Sequence, residues 1–332
     1  MAQTINTLDE LAELCGVSGS TISRVLNDEP GISSETRNTV LKTAKKYNFT
    51  LKKRKKPIAR ATLSFLVVIP DKSETSWNPF FEIGELYEAI HNTFSKEKKN
   101  VEVTTFTDFN LKTTDYLYGT DAVIFAFGET EMQKQKELID INIPYIFLNR
   151  MDGCENYVSL NNFRGMESLT KLLIDNGHKK IGYLGWSTKS VNQDRFKGYM
   201  SACYDAGMNI STLSVKNVSS YDEINSNIVD YFLKEKCDGI CCFNDIFAIR
   251  IINCLQSAGK KVPKDISITG FDNSVMRQHF RPLITTLNLS VYEMGFFATR
   301  WLRDIILRKE KRTLRLEIDG EIIEGETVLN RK

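Results

Sequence analysis

The sequence predicts an N-terminal all-α head, then an α/β core of two doubly wound lobes. Three observations carry that expectation. Three short amphipathic stretches with helix-capping residues fill the first 50 positions. Beyond position 61, short apolar runs rich in β-branched and aromatic residues alternate with helical periodicity, the pattern of parallel sheets covered on both faces. Residues 62–332 are also too many for one doubly wound sheet, so two lobes are expected.

In the head, Thr7 is placed to cap a helix "LDELAELC", with Leu8, Leu11, Ala12 and Leu14 facing inward. Gly16 permits a tight turn. Ser18 caps a second helix that runs to about Asn27 and buries Val17, Ile22, Val25 and Leu26. "NDEPG" breaks the chain, and Ser33 and Ser34 start a third helix, "SETRNTVLKTAKKY", with Val40, Leu41 and Ala44 on one face. "TLKKRKKPIARAT" then reads as a linker.

In the core, "LSFLVVIP", "NVEVTTFT", "DAVIFAF", "IPYIFLN", "KIGYLGW", "DGICCFN" and "DISITGF" read as strands. Between them lie the helical stretches "FFEIGELYEAIHNTFSKE", "EMQKQKELIDI", "GMESLTKLLIDNG", "RFKGYMSACYDAG", "EINSNIVDYFLKEK" and "DIFAIRIINCLQSAG". Ligands of such sheets bind at the carboxyl ends of the strands.

Composition narrows the class. The chain is 42% hydrophobic and 26% charged, which is ordinary for a soluble globular protein. No apolar run approaches the roughly 18–20 residues of a membrane span. "MAQTINTLDELAELC" lacks the basic segment and apolar core of a secretory leader, so the expected compartment is the cytoplasm, with no membrane partner. Seven scattered Cys suit free thiols in a reducing compartment. Residues 1–60 hold eleven Lys or Arg against six Asp or Glu, net +5; the whole chain is +2, so the remainder carries −3. A basic head on a slightly acidic body fits nucleic-acid binding, although a solvated basic linker has the same outline.

Helix, glycine turn, helix is the helix-turn-helix pattern. The outer face of the second helix offers Ser18, Gly19, Ser20, Thr21, Ser23, Arg24 and Asn27. Hydroxyls and Asn reach phosphate oxygens, and Arg24 can fork onto the O6 and N7 of a guanine in the major groove. A plain amphipathic helix also has a polar outer face; the adjoining basic run Lys52, Lys53, Arg54, Lys55 and Lys56 favours DNA.

"TLDELAELCGVSGSTISRVLND" followed by "SSETRNTVLKTAKKYNF" resembles the head of LacI/GalR-type transcriptional repressors. The resemblance continues through "NPFF" at Asn78–Phe81, "NGHKKIGYLG" at Asn176–Gly185 and "DRFKGY" at Asp194–Tyr199. Further on it covers "FNDIFAI" at Phe243–Ile249, "GKKVPKDISITGFDN" at Gly259–Asn273 and "PLITTL" at Pro282–Leu287. It implies a DNA-binding head over residues 1–50, a hinge over 51–61 and a two-lobed core over 62–332 like that of periplasmic sugar-binding proteins. The implied N-lobe takes residues 62–160 and 290–318, the C-lobe 161–289 and 319–332. It further implies a homodimer on a near-palindromic double-stranded operator, controlled by a small effector, a sugar in the first instance and a purine-type metabolite in the second. Thr7 joins the implied DNA contacts.

Two departures stand out. Where many members carry Asn and then Ala-Arg-x-Leu in the hinge, with the Leu wedged in the minor groove, this chain has "LKKRKKPIAR", and Ile58 is the nearest candidate wedge, just after Pro57. The stretch from Thr107 to Asp121 is short, so the N-lobe is expected to lack one usual helix.

By resemblance, Asn149, Arg195, Asn244 and Asp272 face the cleft between the lobes, where members often carry Asp in place of Asn149. Arg donates, Asp accepts and Asn does both, which suits vicinal hydroxyls. Helix capping is the plainer role for Asp245 and Asp272. Trp77, Trp186 and Tyr221 fall in loops near the expected cleft and could stack on a sugar face, or simply pack.

The sequence carries no GxGxxG or Walker-type loop, and "GVSGS" at Gly16–Ser20 is no nucleophile elbow. Cys237, Cys241 and Cys242 span an apolar strand and read as core thiols; His91, His178 and His279 are well separated, and His178 is placed to end a helix. No cofactor, metal or catalytic activity is expected. Two rival functions remain: a cytoplasmic sugar-binding sensor whose head contacts a protein, and a sugar- or nucleoside-processing α/β enzyme. Neither accounts as well for the stretch from Cys15 to Asn27.

Overall fold

The computed structural model describes residues 8–26, 32–47, 49, 62–71, 82–128, 132–151, 153–310 and 312–332. Thr7, Asn27, Lys52, Lys53, Arg54, Lys55, Lys56, Pro57, Ile58, Trp77 and the "NPFF" stretch lie outside the described residues. The chain divides into two units, residues 1–61 and 62–332.

In the first unit, Gly16 stops helix α1 (Leu8–Cys15). It takes φ +65°, while its N–H donates to Glu13 and the N–H of Val17 to the Ala12 carbonyl. These two bonds are the Schellman closure, which needs a left-handed residue that glycine supplies without strain. Helix α2 (Gly19–Leu26) starts at once, with the Thr21 N–H bonded to the Ser18 hydroxyl at 3.2 Å. Helix α3 (Ser34–Lys46) is capped by Ser33, which accepts from the Thr36 N–H. Leu11, Ala12, Ile22, Val25, Val40 and Ala44 form the core, with Val17 and Leu26 packed on it. Each of the larger side chains contributes about 1.5–3 kcal/mol by burial. Leu14 and Leu41, expected inside, are 51% and 46% exposed. Successive helical residues turn by about 100°, which carries Leu14 away from the Leu11–Ala12–Cys15 face and Leu41 off the Val40–Ala44 line.

The second unit is two α/β lobes. The N-lobe sheet orders β11 (Arg315–Ile318), β5 (Tyr157–Leu160), β4 (Tyr145–Leu148), β3 (Ala122–Ala126), β1 (Leu63–Ile69) and β2 (Lys99–Thr105). All of these pairings are parallel. Helices α4 (Ile83–Thr93), α7 (Met132–Asp140) and α13 (Val291–Arg308) belong to this lobe. Between β2 and β3 stand only α5 (Phe106–Leu111) and α6 (Thr114–Leu117), of six and four residues. Phe106, Phe109 and Leu117 on these short helices fill the face of β1 and β3 with Val68, Phe125 and Phe147.

The C-lobe sheet orders β7 (Ser214–Val218), β6 (Ile181–Trp186), β8 (Gly239–Cys242) and β9 (Ser267–Thr269), again all parallel. Its helices are α8 (Asn162–Asp175), α9 (Val191–Asp205), α10 (Ser226–Lys234), α11 (Asp245–Ser257) and the short α12 (Val275–Gln278). β10 (Thr286–Leu287) pairs antiparallel with β12 (Ile322–Ile323). The chain passes between lobes after β5, after β10 and after β11. The apolar pattern predicts neither β5, β7, β10, β11 and β12 nor α13.

The thiols of Cys237, Cys241 and Cys242 are buried in and beside β8, and burial pushes Cys237 and Cys241 up to about 11. His178 ends α8, its Nδ1 2.8 Å from the Leu173 carbonyl; burial lowers its pKa, so the ring is neutral and Nδ1–H donates. Among the described residues, no helix is long and apolar enough to cross a membrane.

Candidate functional site

On the head, α2 turns Ile22 and Val25 inward and leaves Ser18, Ser20 and Arg24 exposed, with Gly19, Thr21 and Ser23 half-buried. Three hydroxyls gather at its start: Ser18 Oγ lies 2.8 Å from Ser20 Oγ and 2.9 Å from Thr21 Oγ1. The N-terminal half of the helix thus presents hydroxyls, and the last turn presents a guanidinium. Of the expected DNA-facing residues, these six are the ones described.

In the core, a cavity of about 360 Å³ opens where the strands of both lobes end. From the N-lobe it is lined by Pro70 after β1, Phe106 after β2, Phe127 and Gly128 after β3, and Asn149 and Arg150 after β4. From the C-lobe come Trp186 at the end of β6, Lys189, Ser190 and Arg195 around the start of α9, Tyr221, Phe243 and Asn244 after β8, and Asp272 after β9. The cavity sits at the small end of the range typical of ligand pockets, about 300–1,000 Å³, at the carboxyl ends that the topology favours. Asn149, Arg195, Asn244, Asp272, Trp186 and Tyr221, all expected at the cleft, line this one space.

Backbone strain concentrates there. Phe127, Asn149 and Asp272 take φ +60°, +53° and +97°. Asn and Asp tolerate the left-handed region better than most residues; Phe does not. Gly128 is needed because Phe106 packs on it: a Cβ there would lie 2.3 Å from the Phe106 ring.

Arg195 is the most constrained charge in the cleft, only 2% exposed. Nη2 donates to Asp272 Oδ1 at 3.1 Å, Nε to Asn162 Oδ1 at 2.8 Å, and Nη1 to the Phe243 carbonyl. Its guanidinium lies 3.6 Å from the Phe271 ring centre and 4.5 Å from that of Phe243. Burial pushes the Asp272 carboxyl up while Arg195 pulls it down. The pair leaves further N–H groups on Arg195 and a second oxygen on Asp272 for a ligand. Arg150, from the N-lobe, donates to the Ser190 hydroxyl of the C-lobe and so spans the cleft.

Three expectations need correction. Trp186 is not in a loop: it closes β6, is only 7% exposed, and packs against Tyr221, Phe243 and Phe247. It lines the cavity with its ring already stacked on Phe247. The capping role falls to Asn244, whose side chain accepts from the Phe247 N–H at 3.0 Å and fixes the start of α11. Asp272 caps nothing, and Asp245 is buried within α11, accepting from the Ser274 N–H and the Thr286 hydroxyl at 2.6 Å each. Burial pushes its carboxyl up to about 7.

Asn162, Ser159, Arg150, Phe106 and Phe127 also belong to the cavity or its supports, and no motif in the sequence marks them as such. Asn162 carried one signal, a second Asn directly after an apolar strand end in "VSLNNF".

Comparison with known proteins adds the lineage. Residues 7–51 match the model of bacterial regulatory proteins of the lacI family, and residues 170–328 match a periplasmic binding protein-like domain. The HTH-type transcriptional regulator RegA of Clostridium saccharobutylicum is 28% identical over 97% of this chain and 99% of its own. The ribose operon repressor of Halalkalibacterium halodurans is 26% identical over 97% of each. A transcriptional regulator CelR–cellobiose complex superposes with a TM-score of 0.68 over 97% of this chain and 100% of its own, at 24% identity, a likeness of fold. With a helix-turn-helix head and a strand-end cleft in the order those two models require, and full-length relatives of the same architecture, the chain belongs to the LacI family of bacterial regulatory proteins.

Proposed function

We propose that this protein is a homodimeric, sequence-specific transcriptional repressor whose operator affinity is set by a small polar ligand, a carbohydrate first of all, held between the lobes. The observation that carries the reading is the pairing, in one chain, of an exposed Arg24-bearing reading helix with a strand-end cavity built around the Arg195–Asp272 pair. Arg24 reads one base pair in each half-site, the hydroxyls at the start of α2 position it on phosphates, and the basic run Lys52–Lys56 holds the backbone. One head makes too few contacts for regulatory affinity, so two act together on half-sites about one helical turn apart. In the cleft, Arg195 and Asp272 offer charge-assisted hydrogen bonds to vicinal hydroxyls. The relatives' names, a ribose operon repressor and a regulator complexed with cellobiose, support a sugar. A purine-type ligand is the second reading, favoured by the aromatic walls of Phe106, Phe127, Tyr221 and Phe243.

The test begins with selection of binding sites from random duplex DNA. The expected result is a near-palindrome bound with a steep salt dependence. Arg24→Ala then costs about 1–3 kcal/mol and relaxes preference at one base pair per half-site. Thermal-shift screening of sugars and nucleobases follows, with operator titrations in the presence of each hit. A bound ligand that leaves operator affinity untouched would refute the regulatory link, because a ligand shifts an equilibrium only by binding one state better.

A further inference from the structure

We propose that Asn162, which lies outside the cavity, fixes which hydrogen-bonding group Asn149 shows to a ligand, so that the ligand must meet Asn149 with an acceptor and Asp272 with a donor. The inference rests on reading the cleft as a ligand site.

A guanidinium has five N–H donors and no acceptor. The Nε of Arg195 donates to a side-chain atom of Asn162 at 2.8 Å, so that atom is the amide oxygen, Oδ1. The Asn162 NH₂ therefore faces the other way. Its N–H groups reach Asn149 Oδ1 at 3.2 Å and the Leu160 carbonyl at 3.0 Å. Asn149 has to receive the first of them with its oxygen; the Ser159 hydroxyl, with one proton to give, lies 3.3 Å from the same oxygen and 2.9 Å from the Leu160 carbonyl. Turning the Asn149 amide over would set its NH₂ against that of Asn162, with only the Ser159 oxygen left to accept from either. Asn162 is 1% exposed and Ser159 0%, so no bulk water would relieve that clash.

What remains of Asn149 for the cavity is its NH₂. At the far end of the same relay, Asp272 spends one oxygen on Arg195 and keeps an acceptor. The two cavity-lining ends thus have opposite demands, and the direction of both is set by Arg195. The relay also joins the lobes: Asn149 and Ser159 belong to the N-lobe, while Asn162, Arg195 and Asp272 belong to the C-lobe. A ligand group that can only donate is refused at Asn149. An ether, carbonyl or ring oxygen, or a hydroxyl turned to accept, is taken. An aspartate in place of Asn149 would accept from both sides and reverse that preference.

Asn162→Asp separates this idea from simple packing. The carboxylate still accepts from Arg195 but no longer donates, so Asn149 turns over and shows its oxygen to the cavity. Joint X-ray and neutron crystallography of the deuterated full-length chain reads the orientation directly. Expected in the wild type are deuterium density on Asn162 towards Asn149 and Leu160, and on Asn149 towards the cavity; in Asn162→Asp the Asn149 amide is reversed. An Asn149 amide facing Asn162 with its nitrogen in the wild type, or unmoved in the variant, overturns the proposal. If Asn162→Asp does not fold, the wild-type density alone decides.

In solution, D-ribose, D-glucose, cellobiose and adenosine are titrated into the wild type, Asn162→Asp and Asn149→Asp. Both variants should change the rank order of the four in the same sense, by about 5- to 150-fold for a reversed hydrogen bond. A uniform loss across all four overturns the specificity role. Should none of the four bind the wild type, the choice of ligand class fails, and the neutron density still settles the polarity.

Discussion

Arg195 and Asp272 are worth more as a pair than as separate groups. Each is nearly sealed from water, so truncating either leaves the other charge buried without its partner. Arg195→Ala or Asp272→Ala should each cost about 3–5 kcal/mol of stability. The double variant should cost less than the sum of the two, which urea titrations of all four proteins would measure. Loss of ligand response in either single variant must therefore be judged at a temperature where the core stays folded. Asp245 gives a separate, pH-dependent signature. Its carboxyl stands at about 7 in the folded chain against an ordinary 3.8, mainly through burial, with the Asp272 charge adding to the rise and Thr286 and Ser274 opposing it. The nearby Arg277 interacts with it as well. Because the folded state holds its proton longer, the unfolded state ionises first as pH rises. Stability should fall between about pH 4 and pH 7 and level off above that window. Asp272, also held up by burial, adds to the same slope. Asp245→Asn should flatten the dependence, as read by denaturation midpoints from pH 4 to pH 8. None of this was visible in the sequence, where Asp245 looked like a helix cap: which of two adjacent polar residues caps the helix and which is buried is decided by the direction in which the strand ends.

Helices α8 and α9 show what the elements demand of single positions. A Cβ at Gly198 would sit 2.1 Å from the Phe163 carbonyl oxygen and 3.0 Å from the Glu167 nitrogen. Backbone atoms cannot step aside, so Gly198→Ala must push α9 off α8. We expect a loss of about 1–3 kcal/mol. Ligand affinity should suffer beyond that, because Arg195 on α9 reaches Asn162 on α8; calorimetry on folded protein checks it. In the head, Ile22 and Arg24 lie on opposite faces of one helix. Ile22→Ala should cost about 2–5 kcal/mol, enough to unfold so small a domain. Arg24→Ala should leave its helical circular dichroism intact while DNA affinity falls. The three helices of the head were legible, because capping hydroxyls and a glycine turn are local signals, but the exposure of Leu14 and Leu41 was not. Of the core, the apolar pattern yielded the long strands, and the family resemblance supplied Asn149, Arg195 and Asp272. The sequence hid β11, a half-exposed edge strand reading "RLEI", and β7, "SVKNV", whose pairing is a property of the assembled sheet. It hid Asn162 for the same reason, since the partners that give it meaning come from α9 and β4.

At the scale of the whole molecule, the three passages between lobes tie the cleft to distant parts of the chain. The N-lobe sheet takes its outer strand β11 from residues 315–318, and β10 of the C-lobe takes its partner β12 from residues 322–323. The Ile268 N–H, at β9, bonds to the Thr327 carbonyl. A chain cut after Arg308 therefore lacks a piece of each lobe, and we expect it to lose ligand binding while its head still gives the spectrum of a folded helical domain. As the chain leaves the ribosome, the head can fold once its three helices have emerged, minutes or seconds being irrelevant to so local a structure. Neither lobe can finish until residues 315–327 have been made, because both wait for strands and contacts that this stretch supplies. A newborn chain thus carries a folded helix-turn-helix unit before either wall of its ligand cleft is complete, and each round of synthesis passes through an interval in which the first unit exists without the second.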